Sequence, residues 1–180
     1  MDIGSTLIKN FLDELNSKKA QPSAGASLAI TGALGASLIG MVCKITLKRI
    51  DSHSFENLAL QTAEYAQKLL DLGNEDMTAF SAVLRNEEGA ATRAMEIPLE
   101  MARTCISVMK QYEPLHNDCY EVIKGDAEAG FDLLMTCGKG NIKLAKKNLN
   151  MFDLETCQRF EAEILKVETI LNALKLGAEG

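Results

Sequence analysis

The sequence contains no tryptophan, only three prolines and two histidines, and aromatic residues make up 5% of its 180 positions. The two histidines form no HExxH or ExxH spacing, so His53 and His116 are predicted to be surface residues in polar turns and no metal cofactor is expected. The five cysteines are odd in number and form no CxxC pair, which favours buried free thiols over a disulfide framework.

An excess of positive charge is also absent, because 25 acidic residues oppose 19 basic ones and the formal net charge is −6. Since no basic patch is interleaved with aromatic residues, a nucleic-acid partner is not expected. The first residues, MDIGSTLIKNF, lack the basic region and apolar core of a signal peptide. Together with the free cysteines, this predicts a cytoplasmic protein.

Charge is missing altogether between Lys19 and Lys44, where Gly, Ala and Ser fill about half of the positions. The stretch is long enough to cross a membrane. Its recurring Ser and Thr residues, the lack of an aromatic belt and the lack of a second span favour a buried helix and no membrane partner. Small residues spaced three or four apart give this helix one nearly bare face: Gly25, Ala29, Gly32, Ala36 and Gly40.

Helical periodicity continues through the rest of the chain, and no segment shows the two-residue alternation typical of strands. Helices are predicted at about 7–15, 23–49, 55–72, 74–84, 90–112, 115–123, 126 onward and 153–176. Gly73-Asn74 is expected to end the third helix, and Pro98 is expected to kink or split the fifth. The sequence predicts an all-α single domain over 1–180, an antiparallel bundle around the buried Gly/Ala-rich helix.

Spacing alone identifies no catalytic residue. Asp76 follows Gly73-Asn74, and an acid in the first turn of a helix is explained by its interaction with the helix dipole. Asp126 is explained equally well as a helix cap. No Ser or Cys lies in a nucleophile elbow.

Five short motifs occur in order along nearly the whole chain: Ser23-Ala24-Gly25-Ala26-Ser27 before the Ala/Gly-rich helix, Asp76-Met77-Thr78-Ala79-Phe80, Ile97-Pro98-Leu99, Gly125-Asp126 and Asn148-Leu149. In this order they resemble the formiminotetrahydrofolate cyclodeaminase and methenyltetrahydrofolate cyclohydrolase family. The resemblance implies a homodimeric helical enzyme that acts on one-carbon units carried by tetrahydrofolate, as a cyclodeaminase or as a cyclohydrolase.

The resemblance also implies roles for individual residues. The acidic residue of the family motif falls on Asp76, which becomes the predicted catalytic proton acceptor and donor. Backbone N–H groups of Gly25, Ala26 and Ser27 at a helix N-terminus are expected to approach the folate ligand. The other expected substrate contacts are Arg49, which could meet a folate carboxylate, Asp126 and Asn148.

The chain departs from the family pattern at two places. Ala24 and Ala26 stand where the family has glycines, and no Leu-Pro-Lys segment follows Leu84. The alternative hypothesis is therefore a divergent member that keeps the fold but binds another ligand, or a non-catalytic interaction protein.

Overall fold

The computed structural model describes residues 2–19 and 21–176. These residues form six α-helices and three short 3₁₀ turns, with no strand among them, which confirms the all-α prediction. The helices are α1 (Ile8–Leu15), α2 (Ala24–Thr46), α3 (His53–Leu84), α4 (Ala90–Tyr112), α5 (Lys124–Asn148) and α6 (Leu154–Ala173). The 3₁₀ turns are Glu113–Asp118, Glu121–Ile123 and Leu149–Met151.

Helices α2 to α5 run alternately up and down as a four-helix bundle. Gly25, at the start of α2, lies against Asp76 in the last third of α3. Gly40, late in α2, lies against Thr62 in the first half of α3, so the two helices are antiparallel. The contacts of α5 with α2, and of α4 with α3 and α5, show the same opposed directions. The N-termini of α2 and α4 therefore meet the C-termini of α3 and α5 at one end of the bundle.

Small residues let α2 approach its neighbours closely. A Cβ added at Gly35 would lie 2.7 Å from the backbone oxygen of Gly130 in α5, so the two backbones are almost in contact. Ala26, Ala29 and Ala36 of α2 are fully buried. Helix α2 packs along α3 and α5 and also contacts α4.

Helix α2 is also the one helix of 2–19 and 21–176 that is long and apolar enough to cross a membrane. Of its most apolar window, 56% is buried inside the protein. A buried core helix passes the same test of length and composition, so this feature does not indicate a membrane span. The cytoplasmic location stays a prediction from the sequence.

Replacing Gly35 by alanine should weaken the packing of α2 on α5. The added methyl group would meet backbone atoms, which cannot move aside as a flexible side chain can, and overpacking of this kind costs about 1–3 kcal/mol. Urea denaturation of Gly35→Ala should show this loss in the free energy of unfolding. Gly125→Ala is the matched control, because a Cβ at Gly125 meets nothing within 4 Å. Equal stability of the two variants would contradict the close packing.

The predicted break at Gly73-Asn74 is wrong, because α3 is continuous for 32 residues. Gly73 is a packing residue: a Cβ there would come within 2.6 Å of Ala29 in α2 and of Ile3. The Asn74 side chain accepts a hydrogen bond from the Ile3 N–H at 2.9 Å. Tertiary contacts thus use both residues, and neither ends the helix.

Three further local predictions are corrected. The segment predicted as a helix over 115–123 forms two 3₁₀ turns, and α5 begins at Lys124, so the exposed Asp126 lies in its first turn and does not cap it. Of the two effects predicted for Pro98, a split of the helix is excluded, because α4 is continuous through this residue. His116 is buried, with its ring Nδ1 3.4 Å from the Tyr112 hydroxyl. All five cysteines are free thiols, and four are buried.

Candidate active site

A cavity of about 240 Å³ opens at the end of the bundle where α2 begins. Four helices and the turn after α5 contribute to its walls, because the alternating directions bring their ends together. Its lining residues are mostly small or apolar: Ser23, Ala24, Gly25, Asp76, Phe80, Val83, Ala94, Leu144, Asn148 and Met151. Asp76 is the one charged side chain among them.

Asp76 lies within the continuous helix α3, so the explanation of this acid as a first-turn partner of a helix dipole is wrong. The Ser23 hydroxyl donates a hydrogen bond to Asp76 Oδ2 at 3.1 Å. Gly25 is held so close to the carboxylate that a Cβ at this position would overlap the Asp76 carboxyl atoms. The acid is therefore fixed against the first turn of α2.

Burial raises the pKa of Asp76 above its ordinary value of 3.8, and the hydrogen bond from Ser23 opposes that rise. Burial disfavours the charged carboxylate because the cavity wall gives it little solvation, whereas a donor hydroxyl favours the charged form. Arg93 on α4 is engaged by Glu75, Glu96 and Glu100 on the outer surface. Asp76 is thus a carboxyl group whose proton exchange is shifted toward neutral pH.

Asn148, at the C-terminus of α5, stands across the cavity from the helix that carries Asp76. Its Nδ2 donates a hydrogen bond to the backbone oxygen of Ala94 at 2.9 Å, which fixes the amide between α5 and the start of α4. The structure thus brings together three of the residues predicted from the sequence, namely Gly25, Asp76 and Asn148.

The other predicted ligand contacts do not line this cavity. Ala26 is fully buried in the bundle, and the N–H and hydroxyl of Ser27 both donate to the Ser23 backbone oxygen at 3.1 Å. Arg49 and Asp126 lie at the opposite end of the bundle, since α2 spans about 34 Å at 1.5 Å per residue. Arg49 there stacks over the ring of Tyr120, 4.7 Å from its centroid.

A second, wider groove of about 650 Å³ adjoins the cavity along Phe80, which lines both. Gln21 forms one wall, and its Nε2 donates to the Met77 backbone oxygen at 2.7 Å and to Ser81 Oγ at 2.9 Å. Lys19 and Arg85 lie at the groove margin. The groove is therefore more polar than the cavity and borders it at Phe80.

Sequence reasoning did not assign Ser23 or Phe80 to the site. Ser23 occupies the N-cap position of α2, but its hydroxyl makes no capping bond. Only the approach of α3 brings Asp76 to this hydroxyl, and periodicity carries no sign of it. Phe80 could have been found as an apolar residue one helical turn after Asp76, on the same face.

In the part of the chain that the structure describes, no cluster of three or more His, Cys, Asp or Glu side chains is suited to a metal ion. Three polar side chains line the cavity: the Ser23 hydroxyl, the Asp76 carboxylate and the Asn148 amide.

The fold and the cavity define an all-α bundle with a largely buried carboxyl group held against the N-terminus of a small-residue helix. Residues 7–166 match the formiminotransferase-cyclodeaminase family. Because this match covers well over half of the sequence, the chain belongs to that family.

Two individual relatives extend the comparison. The chain is 31% identical over 127 residues to a methenyltetrahydrofolate cyclohydrolase of Methylorubrum extorquens, a match over 59% of this chain that spans 61% of the relative's length. The crystal structure of a formiminotetrahydrofolate cyclodeaminase from Thermotoga maritima superposes with a TM-score of 0.87, covering 94% of this chain and 92% of that one. At 23% identity, this second likeness establishes the fold.

Proposed function

We propose that this protein is a folate-dependent one-carbon enzyme in which Asp76 moves protons at the carbon carried between N5 and N10 of tetrahydrofolate. The observation that supports this best is the lone carboxylate in a mostly apolar cavity, held against the start of α2. Such a carboxyl group exchanges its proton closer to neutral pH than an exposed one, which suits general acid–base catalysis. Membership of the family supports the folate substrate class.

Hydrolysis of 5,10-methenyltetrahydrofolate is the first candidate, because the relative at 31% identity carries that activity in its name. In this reaction the oxygen of water bonds to the methenyl carbon while Asp76 accepts one water proton. The bond from that carbon to N5 then breaks, and Asp76 returns its proton to N5. The remaining hydroxyl proton passes to solvent as the formyl group forms on N10. Proton transfer of this kind contributes about 10²–10⁴-fold to a rate.

Ring closure of 5-formiminotetrahydrofolate is the second candidate, favoured by the match to a family that includes the cyclodeaminases. Here N10 attacks the carbon of the protonated formimino group, whose nitrogen becomes an amine, and Asp76 accepts the proton of N10. Asp76 then donates a proton to the amine as the carbon–nitrogen bond breaks, ammonia leaves and the methenyl bridge forms. The same carboxyl group serves both reactions.

The dimensions of the site support a divided binding mode. The 240 Å³ cavity is smaller than the roughly 300–1,000 Å³ of sites that enclose a whole drug-sized ligand. We assign the one-carbon bridge to the cavity, near Asp76, Asn148 and the first-turn N–H group of α2 at Gly25. The rest of the folate would follow the wider groove past Phe80. Contacts of a ligand with Arg49 or Asp126 stay predictions from the sequence.

Absorbance measurements test the proposed function. Purified protein is mixed with 5,10-methenyltetrahydrofolate, and separately with 5-formiminotetrahydrofolate, and the methenyl absorbance is followed. Accelerated loss in the first mixture supports the hydrolase, and accelerated gain with ammonia release in the second supports the deaminase. Acceleration in neither mixture, together with no binding of either compound, would refute the proposal and leave the divergent family member.

A homodimer is part of the proposal, since the outer faces of α1 and α2 form one exposed apolar surface, here called the α1–α2 face. Its exposed large residues are Leu7, Ile8, Leu12, Leu15, Leu34 and Met41. A groove of about 540 Å³ runs between the two helices beside them. Outward residues of α2 recur three and four apart without a charge from Ser27 to Met41, a pattern that suits packing against an identical helix.

Substituting Leu34 by aspartate should disrupt this dimer. A charge placed at the centre of an apolar interface loses its solvation on assembly, so the dimer dissociation constant should rise at least roughly tenfold. Sedimentation or light scattering over a concentration series measures it. Leu60→Asp is the matched control, because Leu60 is 74% exposed on α3, away from this face. A monomeric wild-type protein, or equal effects of the two variants, would contradict the assignment.

A further inference from the structure

Ser23 occupies the N-cap position of α2 but does not use its side chain as a cap. Its backbone is extended, as an N-cap residue requires, yet the hydroxyl accepts no hydrogen bond from the helix. The hydroxyl donates instead to Asp76 Oδ2 on α3. The Ser23 side chain therefore stabilises the contact of α2 with α3 and not the N-terminus of α2.

The two carboxyl oxygens of Asp76 are consequently different. Oδ2 accepts the hydrogen bond of the Ser23 hydroxyl and is the Asp76 atom nearest to the position that a Cβ of Gly25 would occupy. Oδ1 makes no hydrogen bond with the described side chains, and it is not among their buried polar atoms that lack a partner, so it is reached from the cavity. The carboxyl group therefore has one held oxygen and one free oxygen.

We propose that Ser23 is a positioning residue, which fixes Asp76 through Oδ2 so that Oδ1 carries the transferred proton and which favours the ionised, proton-accepting form of the acid. This inference rests on the proposed function for its catalytic meaning. Its structural part, the control of Asp76 by Ser23, stands on the contact between α2 and α3.

The surroundings leave Ser23 as the principal polar influence on Asp76. Helix α2 brings no charge to the cavity, and α5 brings Leu144 and the neutral Asn148. The neighbouring Glu75 on α3 and Arg93 on α4 form an ion pair with each other on the outer surface. A hydrogen bond to a carboxylate favours its charged form and lowers its pKa, in opposition to burial. Removing the Ser23 hydroxyl should therefore raise the pKa of Asp76 further, because nothing then opposes the effect of burial.

Titration of the ligand-free protein tests this directly. Carboxyl carbon resonances followed by NMR, with the Asp76 signal assigned from its loss in Asp76→Asn, give the midpoint for this one acid. We expect the midpoint to move to higher pH in Ser23→Ala and to stay near that of the wild type in Ser23→Thr, which keeps a hydroxyl. An unmoved or lowered midpoint in Ser23→Ala would overturn the inference. Because the hydroxyl makes no capping bond, Ser23→Ala should keep its helices and unfold cooperatively.

Kinetics supply the second readout and separate the two proposals. In the reaction that the protein accelerates, the acidic limb of the kcat profile should move to higher pH in Ser23→Ala by the same interval as the NMR midpoint. Ser107→Ala is the control, because its hydroxyl bonds only to the backbone oxygen of Arg103 on an exposed part of α4. An NMR shift without any folate turnover supports the Ser23 contact and refutes the proposed function. If Ser23→Ala and Ser107→Ala turn over the substrate with the same pH profile, the role of Ser23 is refuted.

Discussion

Asp76→Asn should abolish turnover while leaving the bundle folded. An amide has nearly the shape of the carboxyl group but neither accepts nor returns a proton at working pH, so the loss expected is about 10²–10⁴-fold in kcat. The Ser23 hydroxyl can still donate to the amide oxygen, which keeps the contact between α2 and α3. Methenyl absorbance under saturating substrate measures the loss. Full activity in this variant would remove Asp76 from the mechanism.

The same substitution should raise stability at neutral pH. The folded-state pKa of Asp76 is above its unfolded value, so the contribution of this residue to stability is greatest below the unfolded pKa of about 3.8 and is lost as the pH rises through the folded pKa. Asparagine carries no charge at any of these pH values and avoids that loss. We expect a gain of about 0.5–2 kcal/mol at pH 7, the range of single stabilising substitutions.

Thermal unfolding over a pH series checks the stability difference between Asp76→Asn and the wild type. The difference should shrink as the pH falls toward 3.8, because both side chains are then neutral in the folded protein. A variant less stable than the wild type at pH 7 would mean that the ionised carboxylate is favourably bound in the fold. Such a result would count against the raised pKa and against the acid–base role derived from it.

Gly25→Ala is the second substitution with a large expected effect. The new methyl group would overlap the carboxyl atoms of Asp76, so the acid must leave its place against α2. A displacement of about 1 Å in a catalytic group costs roughly 10²-fold in rate, and crowding of this contact should lower the free energy of unfolding by about 1–3 kcal/mol. Activity should therefore fall together with stability.

Gly125→Ala provides the control for this prediction too. The substitution is chemically identical, but a Cβ at Gly125 meets nothing within 4 Å in the first turn of α5. We expect unchanged kcat and stability unchanged or raised by about 0.4–1 kcal/mol, because alanine restricts the unfolded chain. If Gly25→Ala keeps wild-type kcat, the close contact between Gly25 and Asp76 is not needed for the reaction.

Much of the helical architecture could be predicted from local patterns. The range predicted for the fifth helix, 90–112, agrees with α4, Ala90–Tyr112, because apolar periodicity and a following Glu-Pro pair define both ends. Prediction failed at Gly73, where a residue with the local chemistry of a helix end serves instead to let Ile3 and α2 approach α3. It failed at His116 for a related reason, since a polar turn folds back so that the ring is buried beside Tyr112.

Some of the site residues predicted from the sequence line the cavity, and others do not. Motifs in the sequence singled out Gly25, Asp76 and Asn148, which the bundle does bring to one cavity. The motifs also singled out Arg49 and Asp126, which lie at the other end of antiparallel helices. Motif order contains no information on the ends at which helices meet, because that depends on their directions and packing.

By itself, the sequence determined that the chain is all-α, that one of its helices carries no charge before Lys44 in its last turn, and to which family it belongs. These properties follow from composition, periodicity and motifs, all of which act over short distances along the chain. The tertiary structure alone decided that Asp76 lies inside a helix, that burial shifts its pKa, and that the Ser23 hydroxyl is its partner. Ser23 and Asp76 are 53 residues apart, and only the packing of α2 against α3 gives either its chemical surroundings.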